Sequence, residues 1–267
     1  MSSSGSSSVI RMMQITDCHL FAQSGDRLMG VDTTETLDWV LELAASLDRP
    51  DRLLLTGDLA QDGSVAAYAK LRDRIAGLQA PASWICGNHD NAEAMADALV
   101  DQPQALGKLQ RMGNWQLILL HTQVEDEVGG FLAESELALV EQSLKDFEGH
   151  SLIAMHHHPL AMDSQWMDRI AIANSEQLWQ KLSHAQGKVV LLCGHVHQQQ
   201  ELQRDGIELF TTPATCFQFS PHSREFGVTD EMPGLRTFEL YDDGSVSSRV
   251  HRVSGRKLSL NRELMGY

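Results

Sequence analysis

Five short polar clusters, each closing an apolar run, constrain this chain more than its composition does. They are Asp17-x-His19, Gly57-Asp58, Gly87-Asn88-His89-Asp90, His156-His157-His158-Pro159 and Gly194-His195-x-His197. Each apolar run reads as a strand, and parallel strands packed into one core bring their ends together however far apart they lie in sequence. Carboxylate, amide oxygen and imidazole delivered to one place in this way suit a site for two transition-metal ions. A lone Asp-x-His is a common polar turn, but five clusters at five strand ends point to convergence.

The spacing within the clusters says more. In an extended segment residues i and i+2 face one side, so Asp17 with His19, and His195 with His197, each read as a two-point clamp. Gly57 and Gly87 let the backbone turn tightly and approach the metals, while Asp58 and Asn88 project inward. Asp58 has two oxygens and can bridge two cations. Two divalent ions would bring four positive charges and Asp17 and Asp58 remove two, so with neutral Asn88 and neutral histidines the centre stays positive enough for hydroxide and a phosphate ester. Among His156, His157 and His158, alternation sets His157 opposite the other two, and spacing leaves open which side faces the site. His89 directly follows Asn88, which places its ring beside the centre as a proton or hydrogen-bond donor to a phosphate oxygen or leaving group. The histidines at 121, 150, 184, 222 and 251 have no such neighbours and read as surface or structural.

Between the clusters, strand-like runs alternate with amphipathic helices, the pattern of an α/β architecture. Leu37, Val40, Leu41 and Ala44 recur at helical spacing behind Thr33 and Thr34. Ser64 is a candidate N-cap for a helix with Val65, Tyr68, Leu71, Ile75 and Leu78 inward. Strands are expected at Trp115 to Leu120, Ser151 to Met155 and Lys188 to Cys193, and helices from Ser135 to Phe147 and from Ser175. A β-rich stretch follows at Ile207 to Thr212, Leu235 to Tyr241 and Val246 to Val253, with a turn at Asp242-Asp243-Gly244.

A chain of 267 residues with 42% hydrophobic side chains can fill one sizeable core. The expected organisation is a flexible tail at 1–8, a single domain at 9–253 and a C-terminal tail at 254–267. The strand at Val9 follows the polar start so closely that no secretory signal fits, and no run reaches membrane-spanning length, so a cytoplasmic location is expected. The 36 Asp and Glu outnumber 21 Lys and Arg, giving a net charge of −15. That balance disfavours long nucleic acids, which are bound through phosphate neutralisation, yet leaves room for a small anion at a local cationic centre. No amphipathic basic helix suggests a membrane surface. The four cysteines at 18, 86, 193 and 216 form no Cys-x-x-Cys pair and read as buried small hydrophobes without a ligand role.

Taken in order, the clusters resemble the calcineurin-like metallophosphoesterase superfamily and, within it, the class III cyclic-nucleotide phosphodiesterase branch that includes bacterial 3′,5′-cyclic AMP phosphodiesterases. The similarity extends through Thr212-Pro213-Ala214-Thr215-Cys216-Phe217-Gln218-Phe219 and Pro233-Gly234-Leu235-Arg236; the segment Leu120-His121-Thr122-Gln123 departs from that branch, and His121 receives no catalytic role. The resemblance implies a four-layer α/β/β/α sandwich, with the β-rich C-terminal portion completing the second sheet. It implies one metal held by Asp17, His19, Asp58 and His197 and a second by Asp58, Asn88, His157 and His195, with His157 taken from the family's His-x-Pro pattern. Asp58 bridges the two, and His89 stands beside the phosphate. A substrate would then meet His19, Asp58, Asn88, His89 and His197. The implied ions are two divalent or mixed-valence metals, Fe, Mn, Co or Zn. The implied reaction converts 3′,5′-cyclic AMP to 5′-AMP by in-line attack of a metal-bridging hydroxide, lowering second-messenger levels. Alternatives are another small phosphodiester substrate or a non-catalytic scaffold on the same fold. The stretch Trp166-Met167-Asp168 with Phe217, Gln218 and Phe219 reads equally as a base pocket or as packing at the mouth of the site.

Overall fold

Alternation along β1 (Val9–Ile15) sends Met13 and Ile15 to one side and Met12 and Gln14 to the other, and the computed structural model, which describes residues 9–263, buries all four. A strand buried on both faces belongs in the middle of a layered fold. The strands that follow are β2 (Arg52–Thr56), β3 (Ala82–Ile85), β4 (Leu109–Met112), β5 (Trp115–Leu119), β6 (His150–Met155), β7 (Val189–Cys193), β8 (Gln200–Arg204), β9 (Ile207–Thr211), β10 (Gln218–Phe219), β11 (Val228–Thr229), β12 (Gly234–Tyr241) and β13 (Val246–Arg252). The first sheet runs β13-β12-β1-β2-β3 and the second β4-β5-β6-β7-β9-β8, with β10 and β11 pairing as a short ribbon. The strands β1-β2-β3 and β5-β6-β7-β9 are parallel, and the antiparallel partners lie towards the edges.

Three apolar clusters define four layers. Met12, Leu54, Ile85 and Phe238 of the first sheet meet Leu117, Leu152, Val190 and Leu192 of the second between the sheets. On its other face the first sheet packs Met13, Ile15, Leu53 and Leu55 against α1 (Thr33–Ala45), α2 (Val65–Ile75) and α3 (Ala92–Ala98). The second packs Ile118, Ile153, Met155 and Leu191 against α4 (Glu134–Lys145) and α6 (Ser175–Leu182), with the one-turn α5 (Gln165–Asp168) contributing Met167. This is the α/β/β/α sandwich that the resemblance implies.

Each helix beside the first sheet starts on a side-chain cap. Asp32 accepts from the amides of Thr34 and Glu35, Ser64 from Ala67 and Asn91 from Ala94, each cap being worth about 1 kcal/mol. Ser64 is the cap expected from sequence, whereas Val65, expected to point inward, is 43% exposed. Asn91 directly follows the Gly87-Asp90 cluster and Ser64 comes six residues after Asp58, so these clusters occupy the connections between strand and helix.

The C-terminal β-rich portion divides between the sheets. β9 joins the second sheet as expected, but the hairpin β12–β13 pairs with β1 and extends the first. The register places Phe238 opposite Met12 and Leu240 opposite Ile10, so the hairpin covers what would be an open edge of β1 and adds apolar surface between the sheets. β8, at the other edge of the second sheet, has Leu202 as its single apolar residue, too little hydrophobic alternation to reveal it. Beyond residue 253, Leu258 and Leu260 pack against the second sheet's outer cluster, and the Asn261 amide donates to the Met29 carbonyl at 2.8 Å. The expectation for residues 1–8, and that for 264–267, lie outside the described residues. Among the described residues no helix is long and apolar enough to cross a membrane.

Candidate metal centre

The five clusters follow β1, β2, β3, β6 and β7 and meet at the C-terminal ends of those strands. Their backbone is not extended, as the i, i+2 argument assumed. β1 ends at Ile15 and β7 at Cys193, and Asp17, His19, Asp58, His195 and His197 all adopt left-handed φ values, between 45° and 66°. Such conformations cost roughly 1 to 3 kcal/mol each and persist only where surroundings hold them. Here the Asp17 amide donates to the Gly57 carbonyl at 3.0 Å and the His19 amide to the Asp58 carbonyl at 2.8 Å, locking two turns side by side. Both members of each clamp still reach the centre, by turning rather than by alternating.

Two glycines permit the close approach. Gly57 has φ +92°, and a Cβ there would meet His156 and lie 2.7 Å from the Gly87 nitrogen. A Cβ on Gly87 would collide with an Asp58 carboxylate oxygen and lie 2.7 Å from His156 Cε1.

Around the first position, His197 Nε2 lies 3.4 Å from Asp17 Oδ1, His19 Nε2 lies 3.2 Å from His197 Nε2, and His19 Nε2 lies 3.8 Å from Asp58 Oδ2. The expected set therefore comes together intact. Both ring orientations are fixed from behind. His19 Nδ1 donates to Gln61 Oε1 at 2.7 Å and His197 Nδ1 to the Phe217 carbonyl at 2.9 Å, which leaves each Nε2 lone pair facing the centre. Phe219 stacks on His197 with centroids 4.2 Å apart.

The second position departs from expectation at the triple histidine. His157 Nε2 is 3.0 Å from the Val128 carbonyl, which can only accept, so that nitrogen carries the proton; Nδ1, 2.8 Å from Thr122 Oγ1, accepts from the hydroxyl. Both nitrogens of His157 are occupied. His156 is the reverse: Nδ1 donates to the Thr56 carbonyl at 2.8 Å, and Nε2 points at Asp58 Oδ2, 3.3 Å away. The reason is alternation continued past β6. Leu152 and Ala154 face the other sheet, so His156 does too, while His157 follows Ile153 and Met155 to the helix side. The family's His-x-Pro spacing selects His157, whereas the ring nitrogen that faces Asp58 with no regular hydrogen bond is on His156.

Buried atoms that make no regular hydrogen bond test whether metals fit. Asp58 Oδ2, Asn88 Oδ1, His156 Nε2 and both nitrogens of His195 are such atoms, all at this centre. Buried polar atoms are ordinarily paired, and a cluster of potential ligand atoms converging on one place with so few hydrogen bonds suits cations. His156, His157 and His195, and likewise Asp17, Asp58 and His156, offer ligand atoms within 4.8 Å of one another.

Burial drives His19 to about 3 and holds His195 well below its ordinary value, keeping both neutral as ligands require. Burial also opposes charge on His156, but the Asp58 carboxylate outweighs it and raises the imidazole to about 9; Asp58, whose burial would raise it, is held well below its usual range by His156. The cation-free centre thus holds a proton on His156 through neutral pH. A metal taking Nε2 must displace that proton, so its affinity should rise with pH up to about 9 and level off above, with proton release on binding near neutrality. Metal titrations across this range check the slope; a pH-independent affinity would contradict it.

His89 sits half-buried at the rim. Its amide donates to Asp58 Oδ1 at 2.9 Å and its ring meets His19 edge-on with centroids 5.1 Å apart. Asp90, given no role from sequence, accepts from the amides of Leu59, Ala60 and Gly87 and from the Tyr68 hydroxyl, fastening the Asp58 turn to the Asn88 turn. The divergent segment after β5 also takes part, since Thr122 holds His157 and Gln123 donates to the Asp90 carbonyl. His222 lies on the surface against Asp163, 3.0 Å away. Phe217, Gln218 and Phe219 are buried, with the Gln218 amide bonded to the Ala214 backbone, and Trp166 packs edge-on against Phe219 and Phe226. Of the two readings of this stretch, packing beneath the site describes these residues. All four cysteines are buried free thiols, and burial pushes Cys18 to about 12 and the others far up, which keeps the free thiols protonated; Cys216 lies beside His19 and His197.

The chain belongs to the calcineurin-like phosphoesterase family, whose model matches residues 10–199. It is 40% identical, over 97% of its length and 95% of the relative's, to the 3′,5′-cyclic adenosine monophosphate phosphodiesterase CpdA of Escherichia coli. It is 38% identical, over 91% of its length and 92% of the relative's, to a 3′,5′-cyclic-nucleotide phosphodiesterase of Nostoc. A dimetal phosphatase from Danio rerio shares the fold, with TM-score 0.62 and 14% identity over 92% of this chain and 99% of that one.

Proposed function

We propose that the chain hydrolyses 3′,5′-cyclic AMP to 5′-AMP at a two-metal centre, lowering the level of that second messenger. The observation that carries the reading is the 40% identity along 97% of the chain to a protein named for this activity, in a chain whose own donors close around two adjacent positions. The first metal is assigned to Asp17, His19, Asp58 and His197. The second is assigned to Asp58, Asn88, His156 and His195, with His156 in place of the His157 expected from sequence. Mixed nitrogen and oxygen donors favour Fe, Mn, Co or Zn. Such a pair supplies Lewis acidity toward phosphoryl oxygens and acidifies water.

The chain's own groups do the rest. Asp58 joins the two positions, with Oδ1 tied to the His89 amide and Oδ2 facing His19 and His156. His19, Asp58, Asn88, His89 and His197 surround the place for the phosphate. His89 donates a proton or hydrogen bond to the departing 3′-oxygen as charge develops there. No protein nucleophile is required, since water attacks in line with that oxygen. The acidic surface agrees with a small soluble diester, for which a local cationic centre suffices.

The experiment is product analysis with chelator-stripped protein reloaded separately with Mn, Fe, Co or Zn, given cyclic AMP and, in parallel, an aryl phosphodiester. Metal-dependent appearance of 5′-AMP is expected. Cleavage of the aryl diester alone would keep the metal site and discard the substrate, and no turnover of either by the metal-loaded protein would favour a scaffold.

A further inference from the structure

At the metal end of the space between the sheets, one fully buried side chain is an amide. Gln14 is the third residue before Asp17 and faces the second sheet. Its Nε2 donates to Thr56 Oγ1 at 2.9 Å and to the Cys193 carbonyl at 3.2 Å. The Cys193 carbonyl can only accept, which fixes the amide orientation, and Oε1 then accepts from the Thr212 hydroxyl at 2.6 Å. Thr56 and Cys193 are the residues immediately before Gly57-Asp58 and Gly194-His195. One amide therefore links the base of a first-sheet ligand turn to the base of a second-sheet ligand turn.

The tie continues outward from Gln14. The Thr56 carbonyl accepts from His156 Nδ1 at 2.8 Å and from Thr16 Oγ1 at 3.2 Å, so the strand end held by Gln14 also sets the ring that faces Asp58. Beside Gln14 in register on β12, buried Arg236 donates to Glu201 on β8 at 2.9 Å, a second crossing between the sheets. Deeper in, the same space is filled by Met12, Leu54, Leu152 and Val190, which pack without direction. A buried amide brings no hydrophobic gain, and its contribution is geometric: it holds two strand ends at one distance and one angle. A two-metal centre needs that, because a shift of about half an ångström is enough to spoil it.

We propose that Gln14 is a positioning residue for the metal pair, its amide fixing the distance between the turn carrying Asp58 and the turn carrying His195 and so the separation of the two metal positions. This rests on the two-metal reading above. The test is read on metal binding and spectra rather than on turnover. Wild-type protein and Gln14→Met, which keeps the length and volume of the side chain, are titrated with Mn(II), and the exchange-coupled Mn–Mn EPR signal is recorded. The variant should bind the second ion roughly 10- to 100-fold more weakly, with an altered coupling pattern. Thr212→Val, which removes only the hydroxyl that donates to Oε1 of the amide, should shift both readouts the same way by less, and it carries the test if Gln14→Met fails to fold. Leu54→Ala, a cavity beside Gln14 on β2, should lower the melting temperature while leaving the spectrum unchanged. Wild-type affinity and spectrum in both Gln14→Met and Thr212→Val, or an equal spectral change in Leu54→Ala, would overturn the proposal. A wild-type chain that takes up fewer than two ions sinks the two-metal reading first, and is distinguishable because no variant enters that measurement.

Discussion

Asp58→Asn should leave a folded protein whose kcat for cyclic AMP is roughly three orders of magnitude lower, equivalent to about 4 kcal/mol of lost transition-state stabilisation. The substitution is close to isosteric, so Oδ1 can go on accepting from the His89 amide at 2.9 Å. What disappears is the second anionic oxygen, which faces His156 Nε2 at 3.3 Å and His19 Nε2 at 3.8 Å and belongs to both metal positions. No neighbouring group can replace it. Asp17 already accepts the His195 amide on both oxygens, and Asp90 is committed to three amides and a hydroxyl on the far side of the turn. The variant should also bind fewer than two metal equivalents. In the cation-free state the loss of the carboxylate removes what keeps His156 protonated, so the titration of that imidazole should fall from about 9. A kcat within tenfold of wild type, with two ions bound, would mean that Asp58 is not the shared ligand.

The α/β alternation and the convergence of the five clusters were legible because both follow from hydrophobic periodicity and strand ends, and these survive in a single sequence; the four layers were implied by the family resemblance. Helix starts at Ser64 and the buried cysteines follow from equally local rules. What failed was nonlocal. The β12–β13 hairpin could satisfy its alternation against either sheet, and only the open edge beside β1 decides between them. β8 offers only Leu202 to betray it. The i, i+2 clamps assumed an extended backbone, whereas Asp17, His19, His195 and His197 sit in left-handed turns that depend on hydrogen bonds to segments distant in sequence, and His195 and His197 turn to different neighbours. Asp90, Thr122 and Gln123 were missed because their partners are backbone groups and rings elsewhere in the chain, which no spacing rule encodes. The meaning of Gln14 depends on two strand ends and a threonine that sequence alone does not place beside it.

The triple histidine offers the sharpest contrast between what spacing selects and what geometry delivers, and two alanine variants separate them. His156→Ala should lose the second metal and reduce kcat by about 100- to 1,000-fold, a barrier increase of about 3 to 4 kcal/mol. His157→Ala should keep two metals and lose about tenfold or less. Both rings are fully buried, so each variant opens a cavity and some destabilisation is common to both. Metal stoichiometry, which a cavity alone does not change, therefore decides. The asymmetry comes from protons. In His156 the Thr56 carbonyl takes the Nδ1 proton and frees Nε2 toward Asp58, whereas in His157 the Val128 carbonyl takes the Nε2 proton and the Thr122 hydroxyl occupies Nδ1. For His157 to bind a cation through Nε2 it would have to abandon Val128, transfer its proton to Nδ1 and make Thr122 an acceptor. That rearrangement is possible for a ring but has no counterpart at His156, which needs only to release the proton that Asp58 holds on it. Loss of the second ion in His157→Ala with retention in His156→Ala would establish the rearranged state as the metal-bound one and return the ligand to the position that the His-x-Pro spacing selects.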